Sequence, residues 1–108
     1  MVKQIIGLVE PVKIMKKKIL AKVDTGAKRN SIDLSLAKQL GLTTELWGIK
    51  KVKSANGEEY RPIIKTKIKI ANRNIPTTFT ISKRENLKHK ILLGTNILKR
   101  GFIVDIAR

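Results

Sequence analysis

The chain of 108 residues is long enough for one hydrophobic core and too short for two, and 42% hydrophobic with 30% charged residues is a globular composition rather than a disordered one. Twenty-four Lys and Arg against eight Asp and Glu give a net charge of +16, a field that draws nucleic acid, anionic membrane or acidic peptides. The absence of cysteine excludes disulfides and thiol chemistry, and no apolar run is long enough to span a bilayer.

Residues 4–9 and 12–24 are expected as strands, parted by Glu10-Pro11 and by a basic hairpin tip at Lys16-Lys17-Lys18. The opening Met1-Val2-Lys3-Gln4 before so brief an apolar run is a poor secretion signal, so a cytoplasmic location is the simplest expectation. In the second strand Ile19, Ala21 and Val23 alternate as one face, and the run ends abruptly in Asp24-Thr25-Gly26-Ala27. The strand thus delivers a carboxylate into a tight turn. The Thr25 hydroxyl is placed to hold that turn by hydrogen bonds. Gly26 offers a positive φ or the close approach of another backbone. Taken alone, the motif reads first as a strand closed by an Asx-type turn, with Asp24 satisfying its own backbone.

Lys28-Arg29-Asn30-Ser31 is polar and loop-like, and Asp33 is an N-cap for a short helix over residues 34–40, which Gly41 stops. Leu34, Ala37 and Leu40 or Leu36 are its inward positions. Residues 49–54 and 59–70 flank Asn56-Gly57, a strong hairpin signal, and Pro62 makes its part of the second arm an edge or a bulge. Ile64, Thr66, Ile68 and Ile70 then alternate with Lys65, Lys67 and Lys69, a core face backed by a lysine ladder in solvent. Asn72-Arg73-Asn74 turns the chain into a strand with Phe79 and Ile81 on one side and Thr78, Thr80 and Ser82 on the other. Residues 83–90 form a polar connection. Ile91-Leu92-Leu93-Gly94 is a buried strand, Thr95 to Lys99 a helical turn, and Phe102 to Ile106 a closing strand. The whole is mostly β with one or two small helices.

The order of these pieces resembles the retropepsin-like aspartic proteases across nearly the whole chain. Asp24-Thr25-Gly26-Ala27 is similar to their active-site turn, and Leu92-Leu93-Gly94-Thr95-Asn96-Ile97-Leu98 to the apolar-Gly-Arg-Asn-Leu-Leu segment beneath it. Ser54 to Tyr60 falls where they carry a flap over the substrate. The resemblance implies a small closed β-barrel of the retropepsin type, one lobe per chain, with residues 1–108 as a single domain. It implies catalytic roles for Asp24, Thr25 and Gly26, and substrate contacts from Ala27, Lys28, Ser54, Ala55, Asn56 and Gly57. One Asp-Thr-Gly supplies one acid, whereas the chemistry needs two carboxylates in contact, which cannot both ionise and so share a proton. A two-fold homodimer that brings Asp24 against its own symmetry mate is therefore implied.

A closer branch is suggested by residues 19–27, Arg61-Pro62-Ile63-Ile64 and Phe102-Ile103-Val104-Asp105. These look like prokaryotic proteins labelled ATP-dependent zinc proteases, encoded near ATP-grasp ligases that add glutamates to proteins. That likeness implies a functional link to such a ligase. Neither word of the label fits the residues. His89 is the only His and there is no Cys, too few ligands for a catalytic zinc, and no phosphate-cradling Gly-rich loop would bind ATP. No metal and no cofactor are expected.

The chain also departs from the family pattern. Retropepsins usually pair an acid shortly after Asp-Thr-Gly-Ala with an Arg after the later Gly, and here Lys28 and Thr95 stand at those positions. A Lys beside the cleft, with the +16 charge, favours an acidic peptide or protein as substrate. The rival expectation is a non-catalytic basic β-domain gripping a polyanion, nucleic acid or acidic protein, through Lys65, Lys67 and Lys69. Base-reading domains rely on Arg forks and stacking aromatics, and only six Arg and four aromatics are scattered here among eighteen Lys.

Overall fold

A computed structural model describes residues 2–54 and 57–108. Among the described residues, nine strands and two short helices follow in the order β1 (Gln4–Ile6), β2 (Val9–Ile14), β3 (Lys17–Val23), β4 (Asn30–Asp33), α1 (Leu34–Gln39), β5 (Gly48–Ser54), β6 (Gly57–Ile70), β7 (Arg73–Ser82), β8 (Ile91–Leu93), α2 (Thr95–Leu98) and β9 (Phe102–Val104). Strands pair in the order β2-β3-β8-β4-β7-β6, and β6 pairs back onto β2, which closes a six-stranded barrel. β5 extends β6 outward as the second arm of a hairpin. Parallel pairing of β1 with β9 makes a separate two-stranded sheet.

The alternation in the sequence explains the closure. Ile64, Ile68 and Ile70 of β6 meet Val12, Ile14, Ala21 and Val23 of β2 and β3 inside, while Lys65, Lys67 and Lys69 stay in solvent. Phe79, Ile81, Ile32, Ile91 and Leu93 fill the far side, and Ile97 and Leu98 of α2 plug one end. Each fully buried Ile or Leu contributes about 1.5–3 kcal/mol of transfer free energy, and this apolar interior, aliphatic but for Phe79, is the main force holding the barrel shut. Leu36 and Ala37 bury the inner face of α1, with Leu34 and Leu40 partly buried beside them. Asp33 caps the helix through Oδ2, and Gly41 follows at φ +71°.

Several boundaries differ from the sequence expectation. The first strand is two, β1 ending at Ile6 and β2 running straight through Pro11. Pro11 is tolerated because β6 joins β2 only at Val12 and Lys13, so the Pro lies where that side of β2 has no partner. The first hairpin turns on Met15-Lys16, both at positive φ, rather than on residues 16–18. The later turn is likewise Ala71-Asn72 rather than residues 72–74. Two-residue loops with φ > 0 match the right-handed twist of the flanking strands, and that tertiary demand overrides the reluctance of Met, Lys and Ala to adopt it. The expected loop at residues 28–31 is half strand, since β4 begins at a fully buried Asn30. The closing strand stops at Val104, where Asp105 turns the chain by accepting the Ala107 amide.

Candidate active site

Val23 is the last residue of β3, and its amide donates to Leu8 O at 2.9 Å. The next amide, that of Asp24, donates to Leu93 O at 2.9 Å, so the carboxylate leaves the barrel from a backbone fixed on both sides. The turn is an Asx turn: Gly26 N donates to Asp24 Oδ1 at 2.9 Å and Ala27 N donates to Asp24 O at 3.2 Å. The Thr25 hydroxyl, expected to hold the turn, makes no hydrogen bond among the described residues, and Thr25 is exposed. Gly26 does not adopt a positive φ. A Cβ there would stand 3.3 Å from Asp24 Oδ1, a tight contact that the carboxylate would have to yield to. Asp24 is half-buried, and its Oδ2 has no hydrogen-bond partner among the described residues.

The backbone approach expected at Gly26 occurs instead beneath the turn, at Gly94. A Cβ on Gly94 would meet Arg29 O at 2.6 Å and Ala27 O at 2.8 Å, which no side chain can do without moving the turn. Thr95 N donates to Ala27 O at 2.7 Å and Asn96 N to Lys28 O at 3.1 Å. The opening amides of α2, which no side chain caps, are thus spent on the carbonyls of the active turn. Positions 28 and 95, where the resemblance implies an acid and an Arg, each take part in this backbone ladder, Lys28 through Asn96 and Thr95 through Ala27.

Asn30 went unrecognised in the sequence, and it is the hub beneath the turn. Its Oδ1 accepts from Gly94 N at 2.9 Å, and its Nδ2 donates to Thr77 Oγ1 and Thr78 O, both at 3.1 Å. Its carbonyl accepts from Thr80 Oγ1 at 3.1 Å. Burial without this set would cost several kcal/mol; with it, the site gains a rigid floor.

A cleft of about 750 Å³ opens beside the turn. Residues 27–29, Lys50 and Arg61 of the β5–β6 hairpin, and Lys83 and Arg84 after β7 form its walls. Six lining residues are basic and only Glu59 is acidic, and that carboxylate is engaged by Arg61 Nε at 3.3 Å. Of the expected site residues, Ala27 and Lys28 line the cleft, whereas Asp24, Thr25 and Gly26 do not belong to its walls. Ser54 and Gly57 are paired at the end of the hairpin. Ala55 and Asn56, expected in the flap tip, lie outside the described residues. His89 is half-buried, and its carbonyl serves Arg84. Among the described residues no group of three His, Cys, Asp or Glu is placed to hold a metal ion, and no helix is long and apolar enough to cross a membrane.

Solved structures share this architecture. A Legionella pneumophila protein of unknown function superposes with a TM-score of 0.68 at 19% identity, covering 97% of this chain and 95% of that one. The simian foamy virus protease matches with a TM-score of 0.68 at 16% identity over 84% of this chain and 91% of its own. A retroviral protease-like domain from Leishmania major gives 0.62 at 22% identity over 86% of this chain and 73% of that one. These identities establish the retropepsin-like fold and no more. No curated protein sequence matches the chain. The sequence profile described as gag-polyprotein putative aspartyl protease, however, matches residues 11–100, from the middle of β2 to the end of the α2 turn, and the chain belongs to that aspartyl protease family.

Proposed function

We propose that the chain is an aspartic endopeptidase whose active unit is a homodimer, with Asp24 of each copy meeting at the two-fold axis. The observation that carries this reading is the Asp24 turn itself. A half-buried carboxylate is fixed by backbone bonds on both sides, one oxygen is held by Gly26 N, and the other is left without a partner among the described residues. A symmetry-related Asp24 would complete it.

In that pair one acid is ionised and one protonated. The ionised member takes a proton from a water held between them as the water oxygen bonds to the scissile carbonyl carbon. The protonated member gives its proton to the carbonyl oxygen. Collapse of the resulting diol breaks the C–N bond, with a proton delivered to the departing amine. Thr25 would brace the pair across the axis, and Ala27 and the β5–β6 hairpin would hold an extended peptide. The chemistry uses neither metal nor ATP. The basic cleft walls support a preference for acidic peptides.

The β1–β9 sheet supports the dimer. Its registered pair Ile5 and Ile103 is half exposed, at 50% and 49%, and Ile106, two residues after β9, is exposed as well. This apolar strip lies on a two-stranded sheet, and the segment after β1 bonds directly to the strand that feeds Asp24. A peptidase assay of wild type and Asp24→Asn across pH, with acidic and neutral peptides, tests the reading. Cleavage that survives Asp24→Asn overturns it.

A second reading, a polyanion-binding face, is supported by one observation. Lys13 lies directly opposite Lys18 on one neighbouring strand and Lys69 on the other. Like charges so placed destabilise a sheet unless something negative covers them. Tight, steeply salt-dependent binding to nucleic acid that is indifferent to Asp24→Asn would favour this reading.

A further inference from the structure

Arg84 is the most constrained cation of the cleft. Its amide donates to Asp33 Oδ1 at 2.7 Å, and its carbonyl accepts from Lys90 Nζ at 3.1 Å. Lys90 Nζ also donates to Glu85 O at 2.5 Å, so the connection after β7 is wrapped around a single ammonium. The Arg84 side chain is itself tethered, with Nε donating to His89 O at 3.1 Å. One edge of the guanidinium is therefore fixed to the loop. The two terminal nitrogens have no partner among the described residues, and no carboxylate there forms an ion pair with Arg84.

Asp33 cannot serve as that partner. Its Oδ2 is spent on the amides of Ser35 and Leu36 at the start of α1, and its Oδ1 on the Arg84 backbone. Burial lowers the pKa of the guanidinium, against the opposing pull of Asp33 and Asp24, although an Arg stays charged at any working pH. The cleft thus contains a cation partly stripped of water, preoriented, unpaired, and within the electrostatic reach of Asp24. A partly desolvated cation of this kind gains far more from a carboxylate than a solvated lysine does.

We propose that Arg84 is a specificity-determining residue, whose free terminal nitrogens receive the side-chain carboxylate of a Glu or Asp in an extended peptide lying in the cleft. The inference rests on the peptidase reading for its ligand class, and it names the residue that makes the preference local rather than a consequence of net charge. In an extended strand every second side chain faces the same wall, about 6.6–6.8 Å apart. One subsite is thereby assigned to an acidic residue, while its neighbours remain open.

The test is binding to the full-length Asp24→Asn protein, in which no cleavage confuses the measurement. Two extended peptides are compared that differ only by Glu or Gln at a single position, scanned along the peptide. The Glu peptide is expected to bind about ten-fold or more tightly at one position, as a charge-assisted contact does. Adding Arg84→Met should abolish that ratio while leaving the Gln peptide's affinity unchanged, and Arg84→Lys should restore part of it without the forked geometry. A purely structural Arg84 would weaken both peptides equally, and that result overturns the inference. So does an unchanged Glu-to-Gln ratio in Arg84→Met, or the failure of the Glu peptide to bind. Wild-type cleavage is measured separately. An Arg84-dependent ratio without cleavage defeats the peptidase reading alone, and cleavage without the ratio defeats this inference alone.

Discussion

Asn30 Oδ1 accepts the amide of Gly94 at 2.9 Å, and this buried bond locks the segment after β8 under the turn that carries Asp24. Three strands meet there. Asn30 opens β4, Thr77 and Thr78 belong to β7, and Gly94 follows β8. The position of Asp24 is thus set from below by polar contacts among strands distant in sequence, and from the side by Leu93 O.

Gly94→Ala should therefore be costly twice over. Its Cβ would overlap Arg29 O and Ala27 O, backbone atoms that can yield only by moving the turn. A loss of about 1–3 kcal/mol in urea denaturation is expected, as for other overpacked sites. Cleavage should fall much further than the lost stability accounts for, because the displaced atoms flank Asp24. Asn30→Ala should cost a similar amount by leaving Gly94 N buried without an acceptor. Equal stability in both variants and wild type would show that the turn does not depend on this floor.

The barrel was legible in the sequence because its signals are periodic. The β6 alternation of Ile with Lys, the Asp33 cap and the Gly41 stop each follow from local chemistry, and each stands in the structure as read. Hairpin tips were displaced by one residue because positive φ at Met15 and Ala71 is imposed by strand twist, not by the residues themselves. Asn30 was missed for a related reason. A polar residue between Arg29 and Ser31 carries no sign that strands β7 and β8 will supply its partners. Nor does anything local mark Arg84 among twenty-four cations, since its distinction lies in Asp33, fifty-one residues away.

Dimerisation is predicted to depend on the β1–β9 face. Ile103→Glu places a charge within the exposed Ile5–Ile103 strip and should weaken self-association by ten-fold or more, read by sedimentation. Because Ile103 is half exposed, the fold of each copy should change in stability by only about 0.5 kcal/mol. Cleavage at low protein concentration should fall with the dimer and recover as concentration rises. A wild-type chain that stays monomeric at high micromolar concentration would remove the basis for the Asp24 pair.

Activity is predicted to require Asp24 and nothing added. His89 is the sole histidine, there is no cysteine, and among the described residues no three His, Cys, Asp or Glu are grouped to hold a metal, too few ligands for a catalytic zinc. EDTA or a zinc chelator should leave the rate unchanged, ATP should not raise it, and Asp24→Asn should reduce it to background. Inactivation by chelator with recovery on zinc would point to a different chemistry.

The charge of the cleft yields a prediction that separates local from distant lysines. Lys28 lines the cleft immediately after the Asp24 turn, whereas Lys65, Lys67 and Lys69 face outward from β6 and are absent from its walls. At physiological salt the Debye length is about 8 Å, so charges on the far face affect encounter rates while Lys28 acts on the bound peptide. Lys28→Glu should accordingly lower the affinity for Glu-rich peptides and raise it for Lys-rich ones, with the larger change in the rate of dissociation. A combined Lys65→Gln, Lys67→Gln variant should instead slow association modestly at low salt and leave dissociation alone. Stopped-flow binding to the Asp24→Asn protein at two salt concentrations resolves the two effects. If Lys28→Glu changes only the association rate, the cleft lysine is one more member of a diffuse field and does not touch the substrate.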